Sequence, residues 1–195
     1  MEIILGSSSP RRGEILRFFS LPFTQAAPPF EEESVLFEGD PASYVKTLSS
    51  EKAKSLVGTY SDRIIITADT TVFFEGKIYN KPKDRAEAVS FLTILSGQWH
   101  SVFTGVSCFS KGTIETRAEE TKILFHTLSE EQIDQYLSHI NFLDKAGSYA
   151  IQQGGALIVK KIEGCYYNVM GLPLTPLREL LQKAGVNLWN HLKIL

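Results

Sequence analysis

The chain has 195 residues, which is enough for one sizeable core or for two small lobes that share one. Its composition, 43% hydrophobic and 22% charged, is ordinary for a globular protein, and a formal net charge of −2 gives no overall attraction for nucleic acid or an anionic membrane. The two cysteines lack CxxC spacing and the four histidines lack HExxH spacing, which disfavours a disulfide framework or a zinc site and favours a reducing, cytoplasmic setting.

The first predicted elements are a strand over residues 2–5 and a helix that follows the segment "GSSSPRR". Ser9 is typical of a helix N-cap and Pro10 of the first helical position, and Ile15 and Leu16 begin the apolar side of that helix. An arginine pair near the start of a chain also occurs in export signals. Here the apolar run precedes the arginines and charged residues follow them, so we reject a targeting signal, and no stretch is long and apolar enough for a membrane-spanning helix.

Capping residues, turn residues and apolar periodicity predict the remaining elements. They are a strand over 21–25, a loop over 28–40, a helix from Asp40 to about Val57, a strand over 63–74, a turn and short strand over 75–79, a helix from Asp84 to Gly97, a hairpin of strands over 98–109 and 113–127, a helix from Ser129 to about Ser138, a glycine-rich loop over 146–155, a strand over 156–162 and a helix from Thr175 to Gly185. Helices alternate with strands around one long hairpin, without a linker or an internal repeat. We therefore predict one α/β domain over residues 1–195, built on a mixed sheet.

The segment "GSSSPRR" is the first candidate binding site. A helix N-terminus presents unpaired N–H groups, and Arg11 and Arg12 add charged, forked donors that match phosphate oxygens. Cations in the first helical turn oppose the helix dipole at a cost of a few tenths to ~1 kcal/mol each, which a bound anion would offset. A phosphate anchor and a plain N-cap with solvated arginines are both open interpretations of this pattern.

Asp69 and Lys52 are candidate catalytic or binding residues. Asp69 follows the apolar run Ile64-Ile65-Ile66, and we place it at the end of that strand, where it is either a general base or metal ligand or an acid that satisfies a turn. Lys52 lies four residues from both Leu48 and Leu56, so it points along the apolar face of its helix. It either reaches into a cleft or extends along the apolar surface to solvent.

Three polar segments complete the set: "NKPKD" with Lys81, the acidic run "EEES" and "DKAGSYAIQQGG" with Gln152. Carboxylates beside a triphosphate can hold a divalent cation, and an amide can read the edge of a base through paired donor and acceptor groups. Each segment could equally be a solvated loop. The sequence lacks GxxxxGK[ST], GxGxxG and GxSxG, which disfavours a P-loop or Rossmann nucleotide binder.

Taken together, the chain resembles the Maf family of nucleoside triphosphate pyrophosphatases. The resemblance rests on seven segments in the family's order: "SSSPRR", "YVKTLSSEKA", "ADTTV", "NKPKDRAEA", "LSGQWHSVFTGV", "DKAGSYAIQ" and "GCYYNVMGLPL". It implies a bent mixed β-sheet flanked by helices, with two lobes and a cleft, similar to inosine-triphosphate pyrophosphatase. It also implies hydrolysis between the α- and β-phosphates with a divalent cation, Mg²⁺ or Mn²⁺.

The resemblance assigns roles to individual residues. The general base falls on Asp69, which also holds the metal together with Glu32 or Glu33, since the run of glutamates leaves the register open. The residues that the resemblance assigns to phosphate binding are Ser9, Arg11, Arg12, Lys52 and Lys81.

Within the family, the sequence resembles the branch that acts on dTTP and UTP, since Arg11, Thr70 and Gln152 match that branch. The branch that prefers 7-methyl-GTP has SPWR at the first motif and Gln after the catalytic Asp. Two departures are that Gly6 stands where Ala is usual and that "HINFLDKAG" lacks the usual Gly-Glu-Pro.

We therefore expect a dTTP/UTP pyrophosphatase of the cytoplasm that removes non-standard or excess pyrimidine nucleotides. The alternatives are a nucleotide-binding regulator of cell division or septum formation and, less favoured, a purine-directed enzyme of the inosine type. The expected partner is a nucleoside triphosphate, without nucleic acid or membrane. A homodimer is one candidate assembly, because the sequence does not fix the oligomeric state.

Overall fold

The computed structural model describes residues 2–193, and within them seven strands form one sheet. The strands are β1 (Ile3–Gly6), β2 (Phe23–Ala26), β3 (Ile64–Phe74), β4 (Lys77–Tyr79), β5 (Trp99–Ser110), β6 (Thr113–Phe125) and β7 (Val159–Glu163). The α-helices are α1 (Pro10–Leu16), α2 (Pro41–Tyr60), α3 (Arg85–Leu95), α4 (Glu130–Ser138), α5 (Tyr166–Met170) and α6 (Leu174–Lys183). Short 3₁₀ turns occur at Glu32–Ser34, Ala146–Ser148, Gln153–Leu157 and Leu188–His191.

The sheet is mixed, as the sequence predicts. Its order is β2-β1-β3-β5-β6-β7, and β4 pairs with the far end of β3. Strand β1 runs parallel to β2 and to β3, whereas β5, β6 and β7 follow as antiparallel neighbours. The predicted central hairpin is confirmed as β5–β6, which turns through Lys111 and Gly112 because Ser110 already pairs with Thr113.

Helices cover both faces of the sheet, and the two-residue period of the strands decides which side chain faces which helix. Ile64 and Ile66 of β3 lie in the main core, which also contains residues of α1, α3, α4 and α6. Ile65 faces the other way and packs with Leu56 of α2. On this alternation Asp69 shares a face with Ile65 and points towards α2, whereas Thr70 points to the opposite side.

One edge of β3 is open where parallel and antiparallel pairing meet. Strand β1 pairs with β3 up to Thr67, and β4 resumes the pairing on that edge at Val72. Between them, residues 68–71 have a strand partner among the described residues only on the β5 side. This gap puts the main chain and side chains around Asp69 within reach of a ligand.

Helix α2 lies unusually close to the sheet beside Asp69. Gly105 of β5 is the register partner of Asp69, so its absent side chain would lie on the same face. A Cβ at Gly105 would stand 2.2 Å from the carbonyl oxygen of Val45 in α2, a distance that no real contact shows. The glycine therefore allows the close approach that brings Lys52 of α2 to Asp69.

Several predicted boundaries are wrong, each because tertiary pairing decides where a strand continues. Asp69 does not end its strand, since β3 runs on to Phe74 in pairing with β5 and β4. The strand predicted over 156–162 begins at Val159, because residues up to Leu157 form 3₁₀ turns. Helix α5 was not predicted, since five residues are too few to show a helical period.

No helix within residues 2–193 combines the length and the apolar composition needed to cross a membrane. Both cysteines carry free thiols, with Cys108 buried and Cys165 half-buried.

Candidate active site

A cleft of about 720 Å³ opens at the gap in the β3 edge. All but one of the residues singled out in the sequence line it: Ser9, Arg11, Arg12, Glu32, Glu33, Asp69, Thr70, Lys81 and Gln152. The exception is Lys52, which lies behind Asp69 and reaches the cleft through its contacts. Residues from six separate segments of the sequence thus meet at one place.

A chain of alternating charges runs along one wall of the cleft. Lys52 donates to Asp69 in a short, buried ion pair, and its Nζ lies 2.8 Å from Oε1 of Glu32. The other carboxylate oxygen of Glu32, Oε2, lies 3.5 Å from Nζ of Lys81. Glu32 therefore bridges two lysines, while Glu33 is exposed and makes no ion pair with any residue that the structure describes. Of the two glutamates between which the sequence could not choose, Glu32 is the one that pairs with the lysines of this cluster.

The two carboxyl groups of this cluster are shifted in opposite directions. Burial raises the pKa of Asp69, which is 6% exposed, and this outweighs the attraction of Lys52 and Arg12. Burial also acts on Glu32, but Lys52, Lys81 and Arg12 together outweigh it and hold the pKa of Glu32 below its usual value. Two acids whose pKa values are shifted apart in this way suit two roles. Asp69 is able to accept a proton, and Glu32 stays ionised.

Arg12 is fixed by three acceptors on different segments. Its Nε donates to the carbonyl oxygen of Gly171 at 2.8 Å, and its terminal nitrogens donate to Oγ of Ser7 at 3.2 Å and to Oγ1 of Thr70 at 3.1 Å. Thr70 is held in turn by Thr104 at 3.0 Å. A guanidinium has five N–H donors, so two remain for a ligand in the cleft.

Gly171 is required beside Arg12 for two reasons. Its φ of +103° lies in the left-handed region, which favours glycine. A Cβ there would also lie 3.3 Å from Nε of Arg12 and 3.2 Å from Oγ1 of Thr70. The carbonyl that orients Arg12 is therefore presented by a residue without a side chain.

Arg11 lies at the mouth of the cleft and contacts the loop after α4. Its guanidinium donates to the carboxylate of Asp144 and to the carbonyl oxygen of the same residue, each at 3.3 Å. Lys145 donates to the other carboxylate oxygen of Asp144 at 2.7 Å. Asp144 thus joins two cations at the lining of the cleft.

The start of α1 differs from the predicted cap. Ser9 is at the N-cap position as predicted, but its side chain makes no capping hydrogen bond. Oγ of Ser7 accepts two hydrogen bonds, one from the N–H of Ser9 at 3.1 Å and one from the guanidinium of Arg12. The predicted capping by the side chain of Ser9 is therefore absent.

A sequence model of the family described as Maf-like protein matches residues 2–184. The chain belongs to the Maf family. A relative from Chlamydia caviae, named dTTP/UTP pyrophosphatase, is 45% identical over 192 residues, which cover 98% of each chain. A relative from Chlamydia muridarum, named nucleoside triphosphate pyrophosphatase, is 38% identical over 192 residues with the same coverage.

Among solved structures, the Ham1 protein of Staphylococcus aureus is similar to this Maf protein with a TM-score of 0.53. The match covers 94% of this chain and 99% of the other, at 13% identity. At that identity the similarity shows a shared fold and nothing about the ligand. It agrees with the predicted fold class, a mixed sheet flanked by helices.

The carboxylates of the cleft decide whether it suits a divalent cation. Within the described part of the chain, no group of three or more His, Cys, Asp or Glu side chains is placed to hold a metal. Asp69 and Glu32 supply two carboxylates, and Mg²⁺ is commonly bound by one or two carboxylates together with substrate phosphates and water. The donor set therefore fits a cation that shares its ligands with a polyphosphate.

Four residues that organise the cleft of this Maf protein were not predicted from its sequence: Tyr44, Asn80, Asp144 and Gly171. Tyr44 sits on a helical apolar face and has the pattern of a core residue, although it lines the cleft. Asn80 and Asp144 fall in polar segments that were singled out, so a signal existed for the segment but not for the residue. The carbonyl of Gly171 leaves no trace in side-chain patterns at all.

Proposed function

We propose that this Maf protein hydrolyses dTTP and UTP to the nucleoside monophosphate and pyrophosphate. The proposal is supported by the names of relatives that align over 98% of the chain. The observation that carries it is the buried Asp69 with a raised pKa, set in a cleft among Lys52, Arg12 and Lys81. A carboxyl group that can take a proton beside several fixed cations suits attack by water on a polyphosphate.

In the proposed reaction, Asp69 accepts a proton from a water molecule. The oxygen of that water bonds to the α-phosphorus as the bond between this phosphorus and the oxygen that bridges to the β-phosphorus breaks. The electron pair of that bond leaves with pyrophosphate. Arg12 and Lys81 bind phosphate oxygens and offset the charge that builds on them. A protein that only binds nucleotide has no use for a buried base here, so the cleft favours an enzyme over a septum regulator.

Glu32 and Asp69 would hold a divalent cation, Mg²⁺ or Mn²⁺, and we assign Glu32 to this role ahead of Glu33 because Glu32 forms the ion pairs with Lys52 and Lys81. When bound with the nucleotide, such a cation neutralises phosphate charge and polarises the phosphoryl oxygens. In the free protein Lys52 supplies positive charge to the same two carboxylates.

For the base, we propose Gln152 and Arg11 as the polar contacts. Gln152 lines the cleft, and its side chain does not cap the 3₁₀ turn that follows it, so its donor and acceptor are available for a pyrimidine edge. Thr70 also lines the cleft, but its hydroxyl binds Arg12. We therefore assign to Thr70 an effect on the substrate through Arg12. The free thiols agree with the reducing cytoplasm that we propose as its location.

Phosphorus NMR of the products of dTTP tests the proposal. Cleavage at the α–β anhydride gives dTMP and pyrophosphate, whereas removal of the terminal phosphate gives dTDP and inorganic phosphate. We expect pyrophosphate as the first product in the presence of Mg²⁺ or Mn²⁺. A nucleotide that is bound but never cleaved would instead support a regulator.

A further inference from the structure

Asn80 connects three parts of the cleft and has no part in the reaction proposed above. Its Oδ1 accepts from Oγ1 of Thr71 in β3 at 2.6 Å, and its Nδ2 donates to the hydroxyl of Tyr44 in α2 at 3.1 Å. Its backbone carbonyl accepts from the N–H of Gly147 at 3.2 Å. One residue thus ties the sheet, α2 and the loop after α4 together.

Asn80 is itself exposed, but both side chains to which it is hydrogen-bonded are buried. Thr71 is fully buried and Tyr44 is 8% exposed. Hydrogen bonds between polar groups in such a site are selective for one arrangement, because a buried partner left unpaired costs free energy. The position of Asn80 is therefore well defined by its surroundings.

The next residue, Lys81, is held far less firmly by its own side chain. That side chain is 57% exposed, and its one ion pair within the described chain is the 3.5 Å contact with Glu32. The segment from 80 to 84 belongs to no helix or strand. A long cation on an irregular segment loses rotamer and backbone freedom when it binds a ligand, unless the chain is already fixed.

We propose that Asn80 is a positioning residue that fixes the main chain at Lys81 and so presents the ammonium group to the triphosphate. The inference rests on the proposed function in treating Lys81 as a phosphate ligand. Asn80 acts through Lys81, so its effect is on binding of the phosphates, and it disappears when Lys81 is removed.

A double-mutant cycle on ligand affinity tests this. Calorimetry would give the Kd of a non-hydrolysable dTTP analogue with Mg²⁺, and of thymidine, for the wild type, Asn80→Ala, Lys81→Ala and the double variant. We expect Asn80→Ala to weaken binding of the analogue by about 2- to 12-fold, the cost of ordering one long side chain, and to leave thymidine binding unchanged. In the Lys81→Ala background the same change has no further effect, as coupled residues require.

Three further variants separate positioning from general damage. Asn190→Ala alters an exposed asparagine away from the cleft and is expected to bind both ligands like the wild type. Thr71→Val and Tyr44→Phe each remove one anchor of Asn80 with little change in shape. Each should reproduce part of the loss in affinity for the analogue, even if Asn80→Ala fails to fold.

The outcomes distinguish this inference from the proposed function. A wild type that binds the analogue while Asn80→Ala binds it equally well overturns the positioning role alone. Losses that multiply in the double variant also overturn it, because Asn80 then acts independently of Lys81. A wild type that binds no analogue overturns the proposed function and this inference together.

Discussion

Lys52 on α2 and Asp69 on β3 form an ion pair in which each side chain is only 8% exposed. The ammonium group also lies 2.8 Å from Glu32, so one lysine serves both carboxylates that we assign to the metal. A cation and a lysine compete for the same negative charge. The free protein is therefore arranged to accept a metal together with a triphosphate, whose phosphates bring further ligands.

The first prediction concerns this competition. The substitution Lys52→Met removes the positive charge and keeps an unbranched side chain. Because the repulsion between the ammonium group and the metal ion is lost, worth more than about 1.4 kcal/mol, the free protein should bind Mn²⁺ at least about tenfold more tightly. Electron paramagnetic resonance of free Mn²⁺ without nucleotide measures this. Lys54→Met, an exposed lysine on the same helix, is the control. Equal Mn²⁺ affinity in the wild type and both variants would show that the ammonium group of Lys52 does not compete with the metal ion for the carboxylates.

The second prediction concerns the glycine that lets α2 approach the sheet. Gly105→Ala puts a methyl group 2.2 Å from the backbone oxygen of Val45, which cannot move aside as a flexible side chain can. We expect a loss of about 1–3 kcal/mol or more in the free energy of unfolding, measured in urea, together with reduced turnover as Lys52 moves away from Asp69.

Gly58 is the matched control for that variant, because it lies in α2 and a methyl group added there would meet no atom within 4 Å. Gly58→Ala should raise the free energy of unfolding by about 0.4–1 kcal/mol and leave turnover unchanged. If Gly105→Ala proved as stable and active as the wild type, the close approach of α2 would not be what aligns the ion pair.

The third prediction concerns Arg12. Its guanidinium is already oriented by Gly171, Ser7 and Thr70, so it meets a phosphate at little further entropic cost. Arg12→Ala should weaken binding of a non-hydrolysable dTTP analogue by roughly 10- to 150-fold, or about 1.5–3 kcal/mol, and thymidine binding much less. Arg17→Ala, which removes an arginine that lies over Phe23, should change neither affinity. Calorimetric losses of equal size for the analogue and for thymidine would mean that Arg12 does not read the phosphates.

The fourth prediction concerns pH and stability. His100 is 3% exposed and its Nε2 lies 2.9 Å from the hydroxyl of Tyr149; burial lowers its pKa to about 4. Well above pH 6.5 the imidazole is neutral in both states and contributes no pH dependence. As pH falls from about 6.5 towards 4, the unfolded chain binds a proton that the folded chain does not, so stability falls by up to about 3 kcal/mol.

Carboxylates titrate in the lower part of that window, so the contribution of His100 is isolated by difference. The free energy of unfolding is measured in urea at several pH values for the wild type and for His100→Gln. The wild type should lose more stability than the variant between pH 6.5 and 4. If the free energy of unfolding fell equally with pH in the two proteins, protonation of His100 would not contribute to the loss of stability in acid.

Local sequence patterns predicted much of the secondary structure and several of the residues that line the cleft. The helix start predicted at Ser129 holds, and Ser129 forms a capping box there with Gln132, because both partners lie within one turn. The predicted start at Asp84 also holds, although the carboxylate of Glu87 turns to the N–H of Lys83 and not to that of Asp84. Sequence neighbours suffice where an element is stabilised by its own residues.

What the sequence could not predict depends on contacts between distant segments. The choice of Glu32 over Glu33 is made by Lys52 and Lys81, which lie 20 and more residues away. The engagement of Thr70 with Arg12 and the anchoring of Asn80 by Tyr44 likewise need the folded chain. Residue type indicated which segments carry the chemistry, but the partner of each side chain is set by packing.

The measurement that tests the central claim most directly is kcat/KM for pyrophosphate release from a panel of nucleotides under one Mg²⁺ condition, with Asp69→Asn as the control. We expect dTTP and UTP to exceed ATP, GTP, ITP and 7-methyl-GTP by roughly 5- to 150-fold, since an amide left unpaired against the wrong base costs about 1–3 kcal/mol. Asp69→Asn should fold, by circular dichroism, and lose about 10²- to 10⁴-fold in rate with every nucleotide. ITP or 7-methyl-GTP as the best substrate would contradict the pyrimidine assignment, and near-normal turnover by a folded Asp69→Asn would contradict the mechanism.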